Sequence, residues 1–293
     1  MIALTVSPDR LRLLEGSTPF RWRGTLTRTL FGLWMHDPIA ARAVVRDRKA
    51  CGANTVCFDS QLNWSHFHRP YGIFGPTVTP NYHQQIRPFA AMLTEEDMRA
   101  CMVVLCDTAT LMPDLQAMRN HWQWCYTAVG DQPHWTLVLA NQIFHSTQAE
   151  ALKDHYLEFE QPPSIAGFPP LLAARDNPNE DAHPTLPPWD FSCFCSKRNE
   201  PFWWMEGSGL SMATIVHDVT HAATVLFEPP PCGRPDHPEW ADAGKWRQFA
   251  RALCFEGTIG GNFYSDEDAR SDLYLPGVVR NSAVEMLGNI PAA

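Results

Sequence analysis

The feature that most constrains this chain is an alternation of short apolar runs with longer stretches of helical periodicity. Such alternation predicts parallel strands joined by crossover helices. "FRWRGTL" (20 to 26) reads as a strand and "NTVCFD" (54 to 59) as a second. Between them "DPIAARAVVRDRKACG" (37 to 52) reads as a helix, with Asp37 as N-cap, Pro38 in the first turn and Gly52 at the stop. A helix over 81 to 100, despite Pro88, leads into "CMVVLCD" (101 to 107), whose continuous apolar character suits a strand covered on both faces. A helix over 115 to 129 then leads into "WTLVLANQ" (135 to 142). Four more strands follow, "LLAAR" (171 to 175), "DFSCFC" (190 to 195), "TVLFE" (224 to 228) and "TIGGNFYS" (258 to 265), with helices at 209 to 223 and 239 to 257. Eight strands alternating with helices in fewer than 300 residues predict an α/β fold, a (β/α)8 barrel. Residues 1 to 293 form one domain in this reading, and the Pro-rich stretch at 161 to 188 is a long rim loop. A two-domain, doubly wound alternative would need a Gly-rich phosphate turn after its first strand, and "RGTLTRTLFG" lacks that spacing.

Composition excludes several function classes. The net charge of −9, without a basic stripe, gives a nucleic-acid backbone little to bind. No run approaches the 18 or so apolar residues of a membrane span, and "MIALTVSPDR" has no basic start followed by an apolar stretch. A soluble protein, cytoplasmic on synthesis, is expected. Nine cysteines, several inside apolar runs, suit a reduced compartment in which thiols behave as small hydrophobes. Cys193/Cys195 and His66/His68 are separated by one residue each and no CxxC pair occurs, so no metal and no cofactor is expected.

In such a barrel the chemistry belongs at the C-terminal ends of the strands. Those ends read Asp59, Asp107, Asn141 with Gln142, Asp176, Cys195, Glu228 and Tyr264. A Glu closing the seventh strand and an Asn-plus-acid pair closing the fourth form the pattern of retaining glycosidases, in which one carboxyl protonates the leaving oxygen and the other attacks the anomeric carbon. Here the fourth strand closes on Asn141 and an amide, Gln142.

The chain resembles the glycoside-hydrolase-like (β/α)8 barrels of the cellulase-type superfamily, in particular a group met in bacteriophage and bacterial genomes. "CGANTVCFDS" resembles the family's second strand, "LVLANQ" its Asn-Glu fourth strand, "TVLFEPP" its seventh-strand Glu and "GGNFYSDEDARSDL" its closing segment. The resemblance implies Glu228 as nucleophile, Gln142 at the acid/base position, Cys195 where a rim His is usual and Tyr264 where the last strand carries His. Each replacement removes a proton donor or gives one of the wrong pKa. A neutral amide can hold a sugar hydroxyl but cannot deliver a proton, and loss of a positioned general acid costs about 10²–10⁴ in rate.

Three readings follow. The first is a catalytically degenerate barrel that binds a glycan through Asn141, Gln142, Trp64, Asp59, Cys195 and Tyr264. The second is an active hydrolase in which Asp107 replaces the missing acid. A carboxyl separation of roughly 6.5–9.5 Å from Glu228 would suit inversion and roughly 5–5.5 Å retention. The third is a non-catalytic structural or virion-associated scaffold with other virion proteins as partners. Each residue also has a plainer role: Glu228 could pair with Arg198 or Arg234, Asp107 could make a rim salt bridge, and Trp64, Trp203 and Trp204 could anchor loops. "HDVTH" (217 to 221) differs from the zinc-protease HExxH by Asp for Glu, but it feeds into the seventh strand on the outer layer, away from the rim.

Overall fold

The computed structural model describes residues 1–63, 71–140, 159, 171–176, 190–195, 223–228, 232, 242–255, 259–264 and 277–290. Eight parallel strands close into a barrel. In chain order they are β4 (Trp22–Leu26), β5 (Thr55–Asp59), β8 (Arg99–Leu105), β9 (Trp135–Ala140), β10 (Leu171–Asp176), β11 (Phe191–Cys195), β12 (Thr224–Glu228) and β13 (Gly260–Phe263), with a separate antiparallel pair, β6 (Leu62–Asn63) and β7 (Ile73–Phe74), between the second and third. β13 pairs back onto β4, with Gly260 opposite Trp22 and Phe263 opposite Thr25, which shuts the ring. The strands start and stop within a few residues of the apolar runs. The third lies earlier than the sequence suggests, because Arg99 belongs to the strand and the preceding helix ends at Glu95.

Strand alternation sorts the side chains. Cys57, Cys101, Val103, Val138, Cys193 and Val225 join Trp22 and Leu26 in the barrel interior. Val56, Phe58, Ala100, Met102, Leu137 and Leu139 face the helix layer instead. The fully buried Trp22 indole belongs to this interior cluster, and its Nε1–H donates to Asn262 Oδ1 at 2.8 Å. Gly24 is required beside them, since a Cβ there would stand 1.8 Å from Asn262 Oδ1. Seven described cysteines, Cys51, Cys57, Cys101, Cys106, Cys125, Cys193 and Cys232, are buried free thiols.

The outer layer follows from capping and apolar stripes. Helix α1 (Leu30–His36) buries Leu30, Phe31 and Leu33. In α2 (Pro38–Ala50) the Asp37 carboxylate accepts from Ile39 N at 3.1 Å and Ala40 N at 3.0 Å, with Pro38 at the first position, as the sequence predicts. Helices α3 (Tyr82–Glu95), the short α4 (Thr108–Leu111) and α5 (Leu115–Val129) follow. Phe31, Phe58, Phe89 and Trp135 form one aromatic knot between α1, α3 and the strands, with Phe58 and Phe89 centroids 5.1 Å apart. Helix α6 (Ala243–Phe255) packs on α7 (Gly277–Asn289). Buried Asp47 of α2 is paired with both Arg48 and Arg280 of α7, which clasps the last helix to the second across the seam.

The N-terminal end of the barrel is plugged by β1 (Leu4–Val6), β2 (Leu13–Glu15) and β3 (Thr18–Pro19), a small antiparallel sheet that sequence reading did not foresee. Leu4, Leu13 and Phe20 sit in the same cluster as Trp22. Arg99, at the start of β8, pairs with Glu15, donates to Ile2 O at 2.7 Å and lies 5.2 Å over the Phe20 ring. The plug leaves the opposite end as the place where strand ends meet loops.

Candidate functional site at the barrel mouth

The C-terminal ends of the first three strands bring a charged group together. Arg28, two residues past β4, places Nη1 3.2 Å from Asp59 Oδ2 at the end of β5, and their side chains are 3% and 0% exposed. Asp107, two residues past β8, is also buried, and its Oδ2 accepts from Asn63 N at 2.8 Å. Asp107 adopts a left-handed backbone (φ 48°), a conformation uncommon for non-glycine residues that Asp adopts more readily than most. Burial pushes the Asp107 carboxyl above the usual carboxylate range, against the lowering pull of the Asn63 N–H and the Arg28 charge. Burial likewise pushes the Cys106 thiol well up, and the Asp59 charge adds to it, so Cys106 is a packed thiol and not a nucleophile.

Asp59 and Asp107, both read from the sequence as strand-end acids, therefore meet in one buried cluster. Arg28 was not singled out from the sequence. The signal was present as a cation two residues past the first strand, in "TLTR", where burial demands a partner. Tyr264 follows β13 as expected and is 3% exposed, packed in the interior cluster, with its carbonyl accepting from Cys232 N at 2.9 Å.

Glu228 ends β12 and Cys195 ends β11, and the two are register partners. Pairing runs regularly from Ser192/Thr224 to Phe194/Leu226 and then skips Phe227, so a one-residue bulge brings the Glu228 position level with Cys195. A bulge of this kind exchanges the inward and outward phases of a strand at its end. In the closed ring the fourth strand stands three places from the seventh by the shorter way, and the third stands four places from it, directly across. Asn141 and Gln142, which follow Ala140 at the end of β9, lie outside the described residues, as do Trp64, Trp203, Trp204, Arg198, Arg234 and the 217–221 stretch. Among the described residues no three potential ligands come together to hold a metal ion, and no helix is long and apolar enough to cross a membrane.

No family model matches this sequence. No curated protein matches it either. Solved structures do. A glycoside hydrolase family 5 mannosidase from Rhizomucor miehei has a TM-score of 0.63 at 10% identity, over 98% of this chain and 98% of that one. A glycoside hydrolase family 5 protein from Bacteroides vulgatus has a TM-score of 0.63 at 14% identity, over 92% of this chain and 63% of that one. A GH5_18 protein from Streptomyces cattleya, in complex with GlcNAc, has a TM-score of 0.61 at 12% identity, over 92% of this chain and 79% of that one. Identities this low carry the fold alone. The fold is that of the glycoside-hydrolase-like (β/α)8 barrels.

Proposed function

We propose that residues 1–293 form a single glycoside-hydrolase-like domain that binds a glycan at its C-terminal mouth and has lost efficient hydrolysis. The observation that carries this reading is the ending of the fourth strand: β9 stops at Ala140 and runs into Asn141 and the amide Gln142, in a closed barrel whose seventh strand stops at Glu228. The bulge that aligns the Glu228 position with Cys195 supports a shaped mouth. The GlcNAc complex of the Streptomyces cattleya structure supports a sugar as the ligand class. With Gln142 at the acid/base position, Glu228 could form a glycosyl-enzyme only from a substrate whose leaving group departs without a proton.

The experiment is restoration of the acid. Gln142→Glu should raise hydrolysis of an unactivated glycoside by about 10²-fold or more over a nearly inert wild type. A glycan array run with the wild type and Trp64→Ala should show a signal that the variant loses. Equal silence of wild type and Gln142→Glu on every substrate, with a blank array, would overturn the reading.

One observation favours a second reading, an active hydrolase using Asp107 as the acid. Its carboxyl is buried at the strand end directly across from the seventh and is held toward the protonated form. Under that reading the wild type turns over an unactivated glycoside and Asp107→Asn abolishes it. Under the degenerate reading Asp107→Asn changes nothing in turnover.

A further inference from the structure

A groove of about 550 Å³ opens on the outer helix layer, along α2. Trp34 of α1 lines it together with Pro38, Ile39, Arg42, Ala43 and Arg46 of α2. Ile39 is 85% exposed, more than any other large hydrophobic side chain among the described residues. A single exposed isoleucine is ordinary, and what distinguishes this one is the pattern around it. Asp37, just before the first turn of α2, is exposed, and its Oδ1 accepts from Ile39 N and Ala40 N while Oδ2 takes no bond from a described residue. Near the other end of the helix the exposed Arg46 gives Nε and Nη2 to Glu96, which leaves Nη1 for a further acceptor. The other charges that line the groove are matched within the chain, Arg42 by Glu95 and Glu96 and Asp47 by Arg48 and Arg280. A small foreign ion therefore finds little net charge to hold it there.

We propose that this face of α2 joins two copies of the chain, the two α2 helices lying antiparallel about a twofold axis. A twofold contact uses one patch twice, so the patch has to be complementary to itself. Asp37 and Arg46 are opposite charges nine positions apart, about 13 Å along the helix. When Asp37 stands level with Arg46 of the other copy, antiparallel pairing forms both ion pairs at once. In that register Ile39 stands level with position 44 of the second helix, beside Ala43, whose small side chain leaves it room. Arg42 lies near the axis in both copies, and each arrives with its own Glu95 and Glu96, which offsets the like charge. One helix face buries less than a standard interface, so the association is weak and concentration-dependent. α2 returns the chain from the first strand to its parallel neighbour and so runs against the strands, and antiparallel α2 helices aim the two barrel mouths in opposite directions. The inference does not depend on the glycan-binding reading.

The test is sedimentation velocity of the full chain over a wide range of protein concentration, for wild type, Ile39→Asp and Arg46→Glu, with thermal midpoints measured alongside. Both side chains are exposed, so the variants should fold as the wild type does; Ile39→Ser serves if the Asp variant does not. The expected result is a wild type whose sedimentation coefficient rises with concentration toward that of a dimer, and two variants that associate at least about tenfold more weakly with unchanged midpoints. A wild type that stays monomeric throughout would overturn the proposal and leave the groove to a different partner. A dimer that Ile39→Asp does not weaken would overturn it too, since the copies would then meet through another face. Weakening by Ile39→Asp alone, with Arg46→Glu silent, would overturn the antiparallel register.

Discussion

The two ends of the barrel are built by opposite rules. At the N-terminal end Arg99 has Glu15, the Ile2 carbonyl and the Phe20 face, and Trp22 has Asn262. At the C-terminal end burial raises the pKa of Asp107, which has a left-handed backbone, and the side-chain polar atoms of Gln61, Thr27 and Thr29 are buried without a hydrogen-bond partner among the described residues. The closed end matches its buried cation with an acid from the plug, whereas the mouth buries an acid whose charge its surroundings oppose. The contrast teaches that burying a charged group can be offset within the fold at one end and left opposed at the other.

Substitutions that test the contrast should differ in sign as well as size. The largest effect belongs to the closed end. Trp22→Ala should cost about 3–5 kcal/mol in urea unfolding, because it removes a fully buried indole from a packed cluster. A loss below 1 kcal/mol would mean the interior is not the close-packed plug described.

Acid should act next, at both ends together. Burial holds His134, just before β9, down to about 4 and His121, which contacts Ser60 Oγ at 3.0 Å, down to about 3. Both are therefore neutral in the folded chain while the unfolded chain takes up protons below about 6.5. Stability contributed by the neutral rings is full above that pH and is lost as pH falls toward 4 and 3. Between pH 7 and pH 5 the loss should be up to about 2 kcal/mol per histidine. A flat stability profile over that range would contradict their burial.

Arg99→Met, which keeps the stem and removes the guanidinium, should cost about 2 kcal/mol at the closed end. The smallest effect, and the one of opposite sign, belongs to the mouth. The folded-state pKa of Asp107 is raised, so its ionised form costs stability above the unfolded carboxylate range and costs nothing when protonated below it. Asp107→Asn should therefore raise the unfolding free energy slightly at pH 7, by under about 1 kcal/mol, with the gain fading toward pH 4. A large loss at pH 7 would place Asp107 among the stabilising groups and break the comparison.

Much of the wall of the barrel was legible in the sequence, because strands covered on both faces are continuous apolar runs and their helices carry caps. Helix α5 and strand β12 match the reading residue for residue, and Asp37 caps α2 as Pro38 announces. The plug was not legible. Its strands are two and three residues long, too short for a period to show, and their partners are brought by the fold. Arg99 misled the reading for a related reason: a charged residue in a strand makes sense only beside Glu15, which lies 84 positions away in sequence. At the mouth, the acids at strand ends were readable as positions. The pairing of Asp59 with Arg28 was not, since it depends on a contact between separate strands.

The seam between β13 and β4 also bears on the order of events during synthesis. The first strand of the ring, Trp22–Leu26, is complete long before its second neighbour, Gly260–Phe263, leaves the ribosome. Until then one edge of β4 has no strand to pair with, and the Arg280 that grips Asp47 has yet to be made. A growing chain of this kind carries an unsealed edge for most of its translation, and final closure is a late, long-range step.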